Sequence, residues 1–391
     1  MKQSEKRLDE LGIVGRGRSR HRPRDAEHLY GGKYPFIQTG DVKHSNLYIT
    51  QYSQTYSEAG LAQSKLWKAG TLCITIAANI AETGILGIDA CFPDSIIGFT
   101  PDPEKANVKF IKYLFDALLK KRYKLFTQGA AQDNLSQSKL LSIKFPVPDI
   151  KTQNKIADIL SKYDDLIENN RRRIELLEES ARLLYREWFV HLRFPGHEHS
   201  PIIDGIPEGW ELKKIEDIAD ITMGQSPKSE YYNNEGLGLP FHQGVSDFST
   251  RFPSTSKYCN KGSRYAEEGD ILFSVRAPVG RINISLEKIV IGRGLAAIRS
   301  KCNQQNFLFY QLKNYFFRED MIGSGAIFAS IRKDDLKKVE LLTPSENLIQ
   351  LFINQVTKID KQIRTLYLQN QKLSQARDLL LPRLMNGEIT V

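Results

Sequence analysis

DIKTQNKIADILSKYDDLIENNRRRIELLEESARLLYREWFVH, residues 149–191, carries Tyr163, Ile167, Asn170, Ile174, Leu177, Ala181, Leu184 and Trp188 alternately four and three residues apart. That spacing is the a/d seam of a coiled coil, and only Asn170 breaks its apolar rule. Shifted by 196 residues, the separation of Pro148 and Pro344, the same positions read Ile359, Ile363, Leu366, Asn370, Leu373, Arg377, Leu380 and Leu384. The seam therefore returns in phase, and the chain contains two copies of one long helix. A proline followed by an N-cap type of residue, Asp149 or Ser345, marks where each begins. Each helix is expected to run for about 40 residues, about 60 Å at about 1.5 Å per residue.

A chain of 391 residues is expected to hold two or more domains. It has no run of eighteen apolar residues and starts MKQSEKRLDE, charged rather than signal-like, so the expectation is a soluble, cytoplasmic protein that meets no membrane. Cys73, Cys91, Cys259 and Cys302 lie far apart, which favours free thiols over disulfides or zinc. The net charge is +9, and residues 1–24 hold eight Lys and Arg against three acids. A concentrated basic arm points to a polyanion, nucleic acid first.

That arm contains GRGRSRHRPR, residues 15–24, after a short apolar spacing of Leu8, Leu11 and Val14. Arginines on a Gly/Pro-interrupted loop suit phosphates and groove edges. Strands are expected at 35–42, 71–78 and about 95–99, an amphipathic helix at 107–121, and an extended arm at 144–148. Residues 194–209, rich in Pro, Gly and His, read as a linker, in which His197 and His199 lack a third metal ligand. The second half then repeats the first. Ile215 and Ile218 answer Leu8 and Leu11; Gly224 to Ser226 answer Gly17 to Ser19; PFHQ at 240–243 answers PFIQ at 35–38; and 269–275 answers 70–76. Asn306 answers Asn107, and Gly325-Ala326 answers Gly129-Ala130. A duplicated scaffold with diverged polar positions is the pattern of two readers that read different things.

No phosphate loop, GxSxG elbow, HExxH helix or amine-methylating Pro-Pro-Tyr stretch is present. Glu211 and Lys213, with Asp204 upstream, imitate the acid-x-Lys part of a Mg2+-dependent nuclease, a triplet common by chance. The residues thus leave three readings: a non-catalytic recognition subunit, a stand-alone bipartite DNA-binding protein, and a site-specific nuclease.

The motifs GIPEGW (205–210), SVRAPVG (274–280), IGRGL (291–295) and ARDLLLPRLMNGE (376–388), with YPFIQTGD (34–41) and CFPDS (91–95), resemble the specificity subunit of type I restriction-modification systems over the whole chain. The resemblance implies two target recognition domains, each reading half of a split site in double-stranded DNA, held apart by two antiparallel helices. It implies two methylation subunits that use S-adenosylmethionine, and restriction subunits that use ATP and Mg2+; this chain itself would hold no cofactor or metal. The expected fold is α+β, two tandem repeats of a mixed α/β domain followed by a long helix, the helices pairing as an antiparallel coiled coil. The expected segments are 1–148 and 210–344 for recognition, 149–193 and 345–391 for the spacer helices and tail, and 194–209 for the linker. Expected DNA contacts are Arg16, Arg18, Arg20, Arg22, Gln38 and Thr39 in the first domain, and Ser226, Lys228, His242, Gln243, Arg276 and Arg281 in the second. One departure stands out: AANI at 77–80 replaces RAPV at 276–279, so Arg276 has no counterpart at Ala77. The other reading of Arg276 is a structural arginine paired within its own domain. Asn170 and Asn370 are expected to face each other across the helix pair and set its register.

Overall fold

A computed structural model of the chain describes residues 3–126, 135–316 and 330–391. The correspondence of Gly129-Ala130 with Gly325-Ala326 lies outside the described residues. The chain forms two compact units, residues 1–173 with 365–391 and residues 174–364, so each unit holds half of each long helix.

In the first unit, strand Gln3–Arg7 pairs antiparallel with Lys144–Pro148, the arm that leads into the first long helix. A five-stranded sheet follows in the order Gly12–Arg16, Ile96–Pro101, Leu72–Thr75, Thr83–Leu86 and Tyr48–Ile49. A second sheet orders Gln54–Tyr56, Tyr30–Phe36, Ala90–Cys91 and Leu66–Trp67. The second unit repeats the plan. Glu211–Lys214 pairs with Glu340–Thr343, and one sheet orders Ala219–Met223, Leu295–Ser300, Ile271–Ser274 and Ile282–Ile284. In the other sheet Leu239–His242 runs parallel to Ile289–Ile291, as Tyr30–Phe36 does to Ala90–Cys91.

Three expectations need correction. The strand expected at 35–42 ends at Phe36, and Thr39–His44 is helical. The reason is a cap: the Gln38 N–H donates to the Asp41 carboxylate at 2.8 Å. The strand expected at 71–78 is only Leu72–Thr75, because Ala78 and Ala81 adopt positive φ of 62° and 64°. The expected linker is tied down: it forms the hairpin Ile202–Ile203 with Ile206–Pro207, and buried Phe194 packs on Trp210 with ring centroids 5.5 Å apart.

The long helices span Ile150–Phe189 and Glu346–Met385, 40 residues each. Asp149 caps the first. Its carboxylate accepts from Thr152 N at 3.0 Å and Thr152 Oγ1 at 2.9 Å, which holds it below the usual carboxylate range. Pairing within the first unit is antiparallel, since Asp164 meets Arg377 while Asn170 meets Asn370. In the second unit Phe189 packs on Phe352, ring centroids 5.1 Å apart. The seam positions Ile167, Asn170 and Ala181 are buried, whereas Tyr163, Ile174, Leu177, Leu184 and Trp188 are only half-buried. The buried stripe is broader than an a/d seam because each helix also packs on a globular domain: Ile156 and Leu160 join the first core, Tyr185 and Phe189 the second.

One polar node recurs where each domain meets the helices. Asp164 of the first long helix accepts from the Tyr113 hydroxyl and from Arg377. Asp360, its counterpart on the second, accepts from Tyr310 at 2.7 Å and from Arg251 and Asn306. Arg251, 3% exposed, also donates to Glu178 at 3.0 Å, so one buried guanidinium fastens the second domain to both helices. A buried charge in this position is tolerated only because both carboxylates pair with it.

Candidate nucleic-acid interface

Both units bring three segments to one backbone junction through the same hydrogen bonds. Gly17 N–H donates to Ile96 O at 2.9 Å and Arg18 N–H to Phe92 O at 3.0 Å; in the second unit Gly224 donates to Leu295 O at 2.9 Å and Gln225 to Ile291 O at 3.0 Å. Ile76 N–H reaches Ser95 O, and Val275 N–H reaches Gly294 O, each at 2.9 Å. Counting along these strands makes Arg18 equivalent to Gln225, Ser19 to Ser226, Ala77 to Arg276, and Asp94 to Arg293.

The second junction is built on close backbone approaches. A Cβ at Gly224 would stand 2.2 Å from Gly292 O, one at Gly292 2.6 Å from Gln243 Oε1, and one at Gly294 2.5 Å from Gln243 O. Only glycine permits this contact. Ser226 Oγ and the Gln243 side-chain amide hydrogen-bond each other, at 2.9 Å to Oε1 and 2.8 Å to Nε2, and Arg293 N–H donates to Ser226 Oγ at 3.3 Å. Arg293 rises between Gly292 and Gly294, exposed, with no side-chain hydrogen bond or ion pair among the described residues. Its charge is felt by Tyr232, whose hydroxyl is pushed above the usual range by burial and pulled the other way by Arg293. Arg276 is exposed beside the junction, bridged to Ser330 through its backbone, and its side chain is unpaired among the described residues. Arg281 is exposed and donates its N–H to Ser274 Oγ at 2.8 Å. Lys228 is exposed, 3.9 Å from Glu230. His242 differs from the expectation of a surface contact: it is 1% exposed, and its Nδ1 lies 3.0 Å from Asp247 Oδ2. His242 is buried together with Pro240 and Phe241 on the same strand, and Gln243, just past its end, is half-buried.

The first junction gathers its cations from another segment. Arg16, Arg18, Arg20, Arg22 and Arg24 are exposed while Gly17 and Ser19 are buried, the alternation of an extended chain laid on a surface. The loop is anchored, not free. Gln63 Oε1 accepts from Arg20 N at 2.6 Å and His21 N at 3.1 Å, and Arg18 O accepts from Ser64 Oγ at 2.8 Å. Arg22 folds back onto Ser19 O and His21 O at 2.8 and 2.7 Å. Asp94 accepts Arg24 through both carboxylate oxygens, at 3.1 and 2.9 Å, and its backbone carbonyl accepts Arg16 Nε. Arg18 and Arg20 keep unpaired guanidinium groups among the described residues. Gln38 donates to Gln54 Oε1 at 2.6 Å, and half-buried Thr39 opens the short helix behind it. Sequence reasoning missed Asp94 and Arg293; the charge exchange between CFPDS and IGRGL was the available signal.

Glu211 and Lys213 pair with each other at 3.2 Å on an exposed strand, and Asp204 sits at the turn of the linker hairpin with φ 50°. Among the described residues no helix is long and apolar enough to cross a membrane.

A family model described as the type I restriction modification DNA specificity domain matches this chain twice, over residues 2–179 and 207–374. The chain belongs to that family. Each specificity-domain match begins in one globular domain and runs into the long helix that follows it, so the repeat read from the seam is a repeat of the family domain. The putative type I restriction enzyme MjaX specificity subunit of Methanocaldococcus jannaschii is 33% identical over 377 residues, covering 92% of this chain and 88% of that protein. The MjaIX specificity subunit of the same organism is 26% identical over 406 residues, covering 99% and 93%. The S subunit of a type I restriction-modification system from M. genitalium shares the fold, with a TM-score of 0.61 at 17% identity over 98% of this chain and 96% of that one. These relatives carry the DNA-specificity reading and lend nothing to a nuclease or a stand-alone binder.

Proposed function

We propose that this chain is the non-catalytic DNA-specificity subunit of a type I restriction-modification complex, in which each globular domain reads one half of a bipartite site in double-stranded DNA. The observation that supports this most is the paired junction: one backbone scaffold, built twice, presents cations from different segments in the two copies. A conserved scaffold with relocated charge suits two half-sites of different sequence, because phosphate contacts position a reader and base contacts specify it.

On the same reading the long helices set the spacer and dock two methylation subunits, to which restriction subunits are added. Leu176 and Leu183 on the first helix and Val190 just past its end, seven residues apart, remain 63%, 45% and 44% exposed, an apolar stripe that suits a partner. S-adenosylmethionine, ATP and Mg2+ would be held by those partners. Mapping methylated adenines genome-wide in a host with and without this gene tests the proposal. A bipartite motif that vanishes on deletion supports it, and an unchanged methylome contradicts it.

A further inference from the structure

We infer that Asp94 and Arg293, equivalent in backbone position and opposite in charge, determine specificity in opposite ways: Arg293 meets the second half-site directly, whereas Asp94 holds Arg16 and Arg24 that meet the first. The inference rests on the DNA-reading role proposed above and adds the residues that separate the two readers.

Three observations carry it. At the second junction Arg293 stands between Gly292 and Gly294, exposed and with no side-chain hydrogen bond or ion pair among the described residues, so its guanidinium is available to an outside ligand. Its backbone is fixed to Ser226, which is itself bonded to the Gln243 amide, so guanidinium and amide share one rigid frame. An arginine and a glutamine side by side are the pair that reads guanine and adenine edges. At the first junction a carboxylate occupies the place of Arg293, and a carboxylate facing phosphates would repel them. Asp94 is instead neutralised by Arg24 through both oxygens, and it takes Arg16 through its backbone carbonyl and Arg16 Nε, leaving the Arg16 terminal nitrogens available. Arg276 beside Arg293 is answered by Ala77, so the first domain lacks both cations of the second at this junction and draws its charge from residues 16–24.

The test is selection of duplexes from a randomised double-stranded DNA library by the full-length chain, wild type against Arg293→Gln, Arg293→Lys and Asp94→Asn. Arg293→Gln should weaken the preference within the second half-site by about 5- to 150-fold, the range for losing one bidentate base contact, and leave the first half-site as it was. Arg293→Lys keeps the charge and should keep affinity while losing that preference. Asp94→Asn removes a negative charge, which by electrostatics alone would tighten binding; the inference requires it to lose preference in the first half-site only. An unchanged motif in Arg293→Gln or Asp94→Asn, or full preference in Arg293→Lys, overturns the inference while the DNA-reading role stands. A wild-type chain that selects no motif overturns both.

Discussion

Asn170 donates its side-chain amide to the side-chain carbonyl of Asn370 at 2.9 Å, and the Asn370 amide in turn donates to the Ile167 carbonyl at 3.1 Å. The two residues stand on opposite helices, flanked along the seam by the apolar Ile167, Ile174, Leu366 and Leu373, and Asn170 is 7% exposed. A buried amide pair of this kind lowers stability relative to leucine while penalising every register that separates the pair.

Replacing both asparagines with leucine should therefore raise the melting temperature of the full chain. Asn170→Leu alone should lower stability by about 1–3 kcal/mol, because it leaves the Asn370 carbonyl without its donor. A double-mutant cycle by urea unfolding measures the coupling, and a double variant less stable than both singles would remove the register role.

Arg251 gives the second prediction. Its guanidinium is buried against Glu178 and Asp360, with the Tyr310 hydroxyl at 3.1 Å. Arg251→Met leaves two buried carboxylates unpaired and should cost about 3–5 kcal/mol. Thermal unfolding of the variant that matched wild type would show that the second domain is held to the helices by apolar packing alone.

Alkaline stability gives the third. Burial pushes the Tyr185 hydroxyl up, above the roughly 10 expected of a tyrosine in the unfolded chain. A pKa raised on folding contributes stability that is complete below about pH 10 and is lost as pH rises through the folded value. Tyr185→Phe should flatten the decline above pH 10 by about 1.4 kcal/mol per pH unit, because one fewer proton is released. Urea midpoints from pH 9 to 11 that fall in parallel would contradict it.

The repeat and the two long helices were legible in the sequence, since heptad spacing and a capped start are local signals that survive any tertiary context. Cation-bearing segments were legible in outline: Arg18 and Arg20 do stand exposed and unpaired among the described residues. The burial of His242 is not legible locally, because Pro240, Phe241 and His242 are all covered by tertiary packing that four residues do not reveal. Hidden too were the partners that span the chain, such as Asp164 with Arg377 and Asp360 with Arg251, because no local pattern ties residues so far apart. The position of Arg293 is not legible either, because only the fold brings Gly292 and Gly294 against Gln243.

Salt dependence separates positioning from reading in the first domain. With Arg18 and Arg20 on phosphates, log affinity should fall with log salt by about 0.9 per phosphate neutralised. Changing both to alanine should flatten the slope by about 1 to 2 without altering the selected motif. An unchanged slope would leave the loop in solvent, whereas a changed motif would make these residues base readers.

The most direct measurement of the central claim is an exchange of residues 1–148 with the matching segment of a relative of different specificity, followed by methylome mapping. The account predicts a hybrid motif in which one half changes to that of the relative, while the other half stays as in the parent. A change in both halves, or in neither, would contradict two independent readers on one chain.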